Sequence, residues 1–239
     1  MSGCPGCSPC WGQGGDPEPH LARLCEVAVD VASVNGVGVM LMVDDVPQVS
    51  LYSTGDVSAR IEDLQYTLGE GPCVDAFQGG RPVLEPDLAQ PVTPRWAAFT
   101  PPAIEAGVAA VFGFPLQVGA VRLGALDLYR DRSGPLTEEQ HADVLVMSKV
   151  CATTILAMQA SAPLDGLAGE LAAAGTSYQM VVHQASGMVA VQLGVGVGDA
   201  LVSLRAHAFA HDRSLVEIAE AVVMRRLRFN DDGAGAPPP

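Results

Sequence analysis

The sequence predicts an α+β domain over residues 20–160, an antiparallel sheet with helices, followed by an all-α body of three short helices over residues 177–229. Three observations carry this. Helical spacing of apolar residues opens and closes the first body, with nearly continuous apolar strand runs between. A stretch rich in Ala, Gly and Pro at 161–176 reads as a linker. Beyond it, every periodic segment repeats at three and four residues.

The elements follow in order. Residues 1–19, rich in Gly, Pro and Cys, read as a flexible leader. Leu21 to Val34 has helical spacing. Val37 to Val43 is a buried strand, and Val49 to Ser53 a short second one. Val57, Ile61, Leu64 and Leu68 mark another helix. Leu68 to Cys73 is a turn feeding a short helix to Phe77. Val108–Leu116 and Val121–Tyr129 are strands joined at Val118-Gly119-Ala120, a hairpin signal. Thr137 and Gln140 fit a capping box opening a helix to about Ala160, and Ser214 with Glu217 fits a second one. Residues 230–239 read as a frayed, disordered tail.

Composition narrows the function. The chain has 239 residues, 49% hydrophobic and 17% charged, enough for packed cores. Its net charge is −14, so any nucleic-acid contact must be a local patch. Residues 1–177 carry eight basic and 21 acidic side chains, whereas 178–229 carry five arginines against four acids. Only the C-terminal helices would not repel a phosphate backbone outright. Met1-Ser2-Gly3-Cys4-Pro5 has no basic start and no apolar stretch, and no apolar run reaches ~18 residues, so no signal peptide or membrane contact is expected. A cytoplasmic address is the expectation. No G-x-S-x-G, H-E-x-x-H or Walker loop occurs, and the chain is not expected to be an enzyme.

The second body resembles the ANTAR domain, a family of bacterial RNA-binding transcription antitermination regulators. The resemblance rests on Val182-His183-Gln184-Ala185-Ser186-Gly187-Met188, Asp199-Ala200-Leu201, Leu204-Arg205-Ala206-His207-Ala208 and Ile218-Ala219. It covers essentially all of 177–228. Ser186 stands where many members carry a basic residue. The first body resembles a GAF domain of the kind found in actinobacterial GAF–ANTAR regulators, through Leu68-Gly69-Glu70-Gly71-Pro72-Cys73, Gly80-Arg81-Pro82-Val83, Pro86-Asp87-Leu88 and Gly124-Ala125-Leu126-Asp127-Leu128-Tyr129. The resemblance implies a chain that binds RNA stem-loops and prevents a terminator hairpin, under a sensor that binds a small molecule or dimerises.

Residue chemistry fits that expectation. Arg205, Arg213, Arg225 and Arg226 can pair bidentately with phosphate, Gln184 and His207 can read base edges, and Tyr178 could stack. Arg205 could instead cap a helix or bridge to Glu217. Gly187 inside a helix costs about 1 kcal/mol relative to Ala, which calls for a close neighbour or a ligand. Candidate pocket residues of the sensor are Cys73, Asp75, Trp96, Phe99 and Phe112, with no ligand named. The apolar stripe of the Thr137 helix could pair two chains, and a homodimer is expected.

Three rival readings remain. Cys4, Cys7 and Cys10, with Cys25, have spacing that could hold Zn or an iron–sulfur cluster, making the chain a metal or redox sensor. Three helices could also form a DNA-binding helix-turn-helix. Asp44-Asp45 after a strand invites a phosphorylated receiver domain, but Lys149, the only lysine, lies in a predicted helix rather than at a strand end.

Overall fold

The computed structural model describes residues 17–43, 46–91, 93–161, 177–211, 213–229 and 235–236. The first body runs α1 (Pro17–Ala32), β1 (Gly36–Val43), β2 (Val46–Ser53), α2 (Asp56–Leu68), α3 (Pro72–Gly79), β3 (Val83–Glu85), α4 (Thr100–Glu105), β4 (Ala110–Val118), β5 (Val121–Arg130) and α5 (Glu138–Ser161). The strands form one five-stranded sheet in the order β2-β1-β5-β4-β3, with every neighbouring pair antiparallel. A receiver domain needs a parallel sheet, so that reading is withdrawn; Asp44-Asp45 lie outside the described residues.

Alternation along the strands sends side chains to opposite faces. One face carries Val37, Val39, Leu41, Phe112, Phe114, Leu116, Leu126 and Leu128, packed with Leu21, Cys25 and Ala28 of α1 and Val144, Cys151 and Ile155 of α5. Each large buried apolar side chain contributes ~1.5–3 kcal/mol. Arg130 ties this layer together: it donates to the carbonyls of Ala32 (2.6 Å) and Ser33 (3.1 Å), where α1 ends, and to that of Pro135 (3.1 Å) and Gln140 Oε1 (3.0 Å), where α5 begins. The Thr137–Gln140 capping box is present in both directions, at 3.0 and 3.1 Å. By length and mean hydropathy (1.3), Glu138–Met158 of α5 could cross a bilayer, but its inner face covers the sheet and α1.

The opposite sheet face is covered by α2 and α3. Here glycines make room. A Cβ on Gly38 would sit 2.2 Å from Glu62 Oε1 of α2, and one on Gly113 would sit 2.5 Å from the Pro72 carbonyl oxygen at the start of α3. Both glycines pair in register with Asp127 of β5. Asp127 is thus flanked on both sides by residues without side chains, and two helices descend onto it.

The second body contains α6 (Ser177–Leu193), α7 (Val197–Ala210) and α8 (Leu215–Val223). Val182, Ala185, Val189, Leu201, Leu204, Ala208, Ile218 and Val222 form its core. The Ser214–Glu217 capping box opens α8. Between α6 and α7 the chain turns through 103°, at Gly194 with φ +66°. Two residues of the expected tail, Gly235–Ala236 (β7), pair with Arg228–Phe229 (β6). The core of these helices is continuous with Met40, Met42, Tyr66, Cys73 and Phe77 of the first body.

Candidate functional site

The sheet face under α2 holds an unusual polar cluster. Glu62 and Asp127 are both buried, at 1% and 4% exposure, and their carboxyl groups are in hydrogen-bond contact. Gln65, one turn along α2, donates from Nε2 to Asp127 Oδ2 (3.1 Å) and accepts at Oε1 from the Cys73 backbone N–H (2.8 Å). Glu62 Oε2 and Asp127 Oδ1 have no donor from the protein. Two contacting carboxylates in an apolar layer repel each other and lose their hydration, so the charged forms are disfavoured. Burial, then the neighbouring Asp127, raises Glu62 well above the usual carboxylate range. Burial pushes Asp127 up to about 7. A proton held between the two carboxyls would supply a donor for the oxygens that have none, Glu62 Oε2 and Asp127 Oδ1.

Helix α2 connects this cluster to the second body. Its last turn presents the carbonyls of Tyr66 and Thr67 to Arg205 of α7, which donates from Nε to Thr67 (3.0 Å) and from a terminal nitrogen to Tyr66. A cation at a helix C-terminus satisfies carbonyls that have no partner within the helix and meets the negative end of the dipole. Gly69 caps α2 in the left-handed region (φ +67°), with Arg205 folded against it. Burial lowers the Arg205 guanidinium to about 10. Beside it, a cleft of about 1020 Å³ opens between the bodies, lined by Asp63, Glu70, Arg205, Phe209 and Arg213 among others.

A second groove, of about 670 Å³, lies on the C-terminal helices. Gln184, Gly187, Met188 and Val191 of α6 form one wall; Arg225, Leu227 and Arg228, just past α8, form the other. A Cβ on Gly187 would meet nothing within 4 Å. Helix packing therefore does not require this glycine, which is open to the groove. Arg225 has φ +58°, a conformation that costs a non-glycine residue roughly 1–2 kcal/mol. It stands where the chain leaves α8, with the Arg226 and Leu227 amides bonded back to Ala221.

The structure redistributes the residues expected from sequence. Gln184 and Arg225 are exposed on one groove, Arg226 is exposed next to Arg225 in the chain, and Arg213 is exposed on the cleft side. Arg205 is withdrawn from the phosphate set, because its donors serve the end of α2; the helix-capping alternative is the observed one, with α2 and not Glu217 as partner. His207 is withdrawn as a base reader: it is buried, stacked on His211 (ring centroids 4.0 Å) and edge-on to Phe229 (5.2 Å). Ser186 is buried and bonded to the Val182 carbonyl (2.8 Å), so a basic residue would not fit there. Cys25 leaves the metal set, being buried in the sheet core beside α5. Cys4, Cys7 and Cys10 lie outside the described residues; among those described, no group of three His, Cys, Asp or Glu could hold a metal ion.

The expected pocket residues divide between the two faces of the sheet. Phe112 faces the α1–α5 side, whereas Cys73, Trp96 and Phe99 are buried on the other. Trp96 donates to Asp75 (3.0 Å) and lies under Arg95 (4.5 Å to the ring centroid). Sequence reasoning missed Glu62, Gln65 and Arg228. The available signals were an acid inside the apolar run of β5 and the alternation Gly36-Val37-Gly38.

An antiparallel 2-1-5-4-3 sheet with terminal helices on one face and a buried polar centre on the other defines an α+β sensor-type domain. The GAF domain family model matches residues 16–147, more than half of the sequence, and the chain belongs to that family. GAF domains sense signals, commonly by binding small molecules, or dimerise. A GAF domain/HD domain protein from Geobacter sulfurreducens shares the fold at 13% identity and a TM-score of 0.50, over 64% of this chain and 100% of its own. The GAF domain of a phosphoenolpyruvate-protein phosphotransferase from Coxiella burnetii is similar at 18% identity and a TM-score of 0.49, over 62% and 86%. No curated protein matches the chain.

Proposed function

We propose that this protein is an RNA-binding regulator of transcription, an antiterminator that grips stem-loops through its C-terminal helices under control of its GAF domain. It is a binding protein rather than an enzyme. The observation that carries the reading is the groove between α6 and the end of α8, where Gln184 and two arginines surround a glycine that no protein atom needs. An unpaired loop base fits against Gly187 with the Gln184 carboxamide at its edge, while Arg225, Arg226 and Arg228 take phosphates. The resemblance to the ANTAR family supports the same assignment.

Duplex DNA is the weaker reading. The 103° turn between α6 and α7 suits a helix-turn-helix. Yet α7, which would enter the groove, exposes Val202 and Phe209 and turns its one arginine inward. Two chains would associate through α5, whose outer face exposes Leu145, Val146 and Val150.

The test is stem-loop RNA binding by the full chain, with duplex DNA as competitor. Arg225→Gly removes the side chain and relieves the left-handed backbone, so it should fold at least as stably yet bind at least tenfold more weakly. Gln184→Ala should weaken binding and blunt discrimination between loop sequences. Unchanged affinity in both variants, or equal competition by DNA, would remove the assignment.

A further inference from the structure

Glu62 and Asp127 are the only buried pair of contacting acids among the described residues, and two of their oxygens find no donor in the protein. The surroundings offer no counter-charge. β1 contributes Gly38 and Met40, β5 contributes Tyr129 beyond Asp127, and α3 contributes Cys73 with Asp75 beyond it. Asp63 and Tyr66 are the neighbouring titratable groups on α2, and Cys25 reaches the pair's field from α1. Arg60, two residues before Glu62 on α2, is exposed, and Arg205, at the end of the helix, is spent on the carbonyls of Tyr66 and Thr67. A single rigid helix thus carries the acid pair at its middle and the Arg205 dock at its end.

We infer that the Glu62–Asp127 pair is a proton-binding sensor site and that α2 transmits its state to Arg205. With the pair protonated, Glu62 fits over Gly38 against Asp127, and α2 lies flat on the sheet. Its last carbonyls then hold Arg205, and through it the C-terminal helices. Loss of the shared proton puts like charges in contact in an apolar layer with no cation to offset them. α2 lifts, Gln65 releases Asp127 and the Cys73 amide, and the Arg205 dock is lost. The C-terminal helices separate from the GAF domain, with a guanidinium newly exposed. The latch stands whatever those helices bind; its meaning as control of transcription rests on the RNA reading.

The test needs no RNA, so its failure and that of the RNA reading are separate results. Small-angle scattering of the full chain, at about pH 6 and about pH 8.5, reads the separation of the two bodies. The wild type should be compact at the lower pH and larger by a few ångströms in radius of gyration at the higher. The Glu62→Gln/Asp127→Asn double variant should stay compact at both; if it fails to fold, Asp127→Asn alone carries the same expectation. Arg205→Ala should be expanded at both, with unchanged far-UV circular dichroism. A wild type of one size at both pH values, a pH response that survives removal of both acids, or a compact Arg205→Ala would each overturn the proposal.

Discussion

A carboxyl group folded into an apolar layer holds its proton longer than a solvated one, and this sets a direction for stability. Asp127 is pushed up to about 7 by burial, against about 4 in an unfolded chain. Glu62 is raised as well, by burial and by Asp127. Above about pH 4 the folded chain therefore binds more protons than the unfolded one. Stability contributed by the protonated pair is present at low pH and falls as pH rises, with the Asp127 part complete by about pH 7. Its upper bound is about 4 kcal/mol. Urea unfolding should show the wild type losing about 2 kcal/mol more than Asp127→Asn between about pH 5 and about pH 8. Equal losses would mean that the pair is not protonated in the folded chain. None of this was readable from Glu62 itself. In sequence it is one polar position on an amphipathic helix, and its partner lies 65 residues away on β5. Burial and pairing are tertiary facts, whereas the acid inside the apolar run of β5 was a local anomaly that could be noticed.

At the scale of elements, two glycines, one closed in by backbone and one open to a groove, should respond oppositely to alanine. On Gly113 a Cβ meets the Pro72 carbonyl oxygen at 2.5 Å, a backbone atom that can move only if α3 moves. Gly113→Ala should cost about 1–3 kcal/mol and lower the melting temperature. On Gly187 a Cβ meets nothing, so Gly187→Ala should stabilise α6 by about 1 kcal/mol. The same change should narrow the groove and weaken RNA binding. Sequence announced elements where a local device sets them. The Thr137–Gln140 and Ser214–Glu217 capping boxes mark α5 and α8, and the Val118-Gly119-Ala120 turn joins β4 to β5. It failed where an element is too short to show a period. β3 is three residues long, and α4 is a six-residue turn containing Pro101 and Pro102. β2 was foreseen only from Val49, because Pro47 reads as a boundary although it pairs with Met42 at the sheet edge. The orientation of α7 was equally hidden: helical spacing identified its apolar stripe, not that Arg205 would lie beside it against α2.

For the whole molecule, the proposed RNA binding has to be reconciled with a net charge of −14. Screening is part of the answer, since charges more than ~8–10 Å apart are largely hidden at physiological salt. The rest is local. Arg213, Arg225, Arg226 and Arg228 are all exposed on the second body. If all four neutralise phosphates of an unpaired loop, log affinity should fall against log salt with a slope of about −3 for one chain. A dimer engaging two loops of one transcript should show about −6. Pairing would run through Leu145, Val146 and Val150, an outer face of α5 that the sheet does not use. Val146→Glu should therefore give a monomer in analytical ultracentrifugation, with unchanged circular dichroism, and halve the slope. The two measurements separate the claims: a slope near zero in the wild type removes phosphate contact, whereas a slope of −3 unaffected by Val146→Glu keeps the RNA grip and removes the paired arrangement.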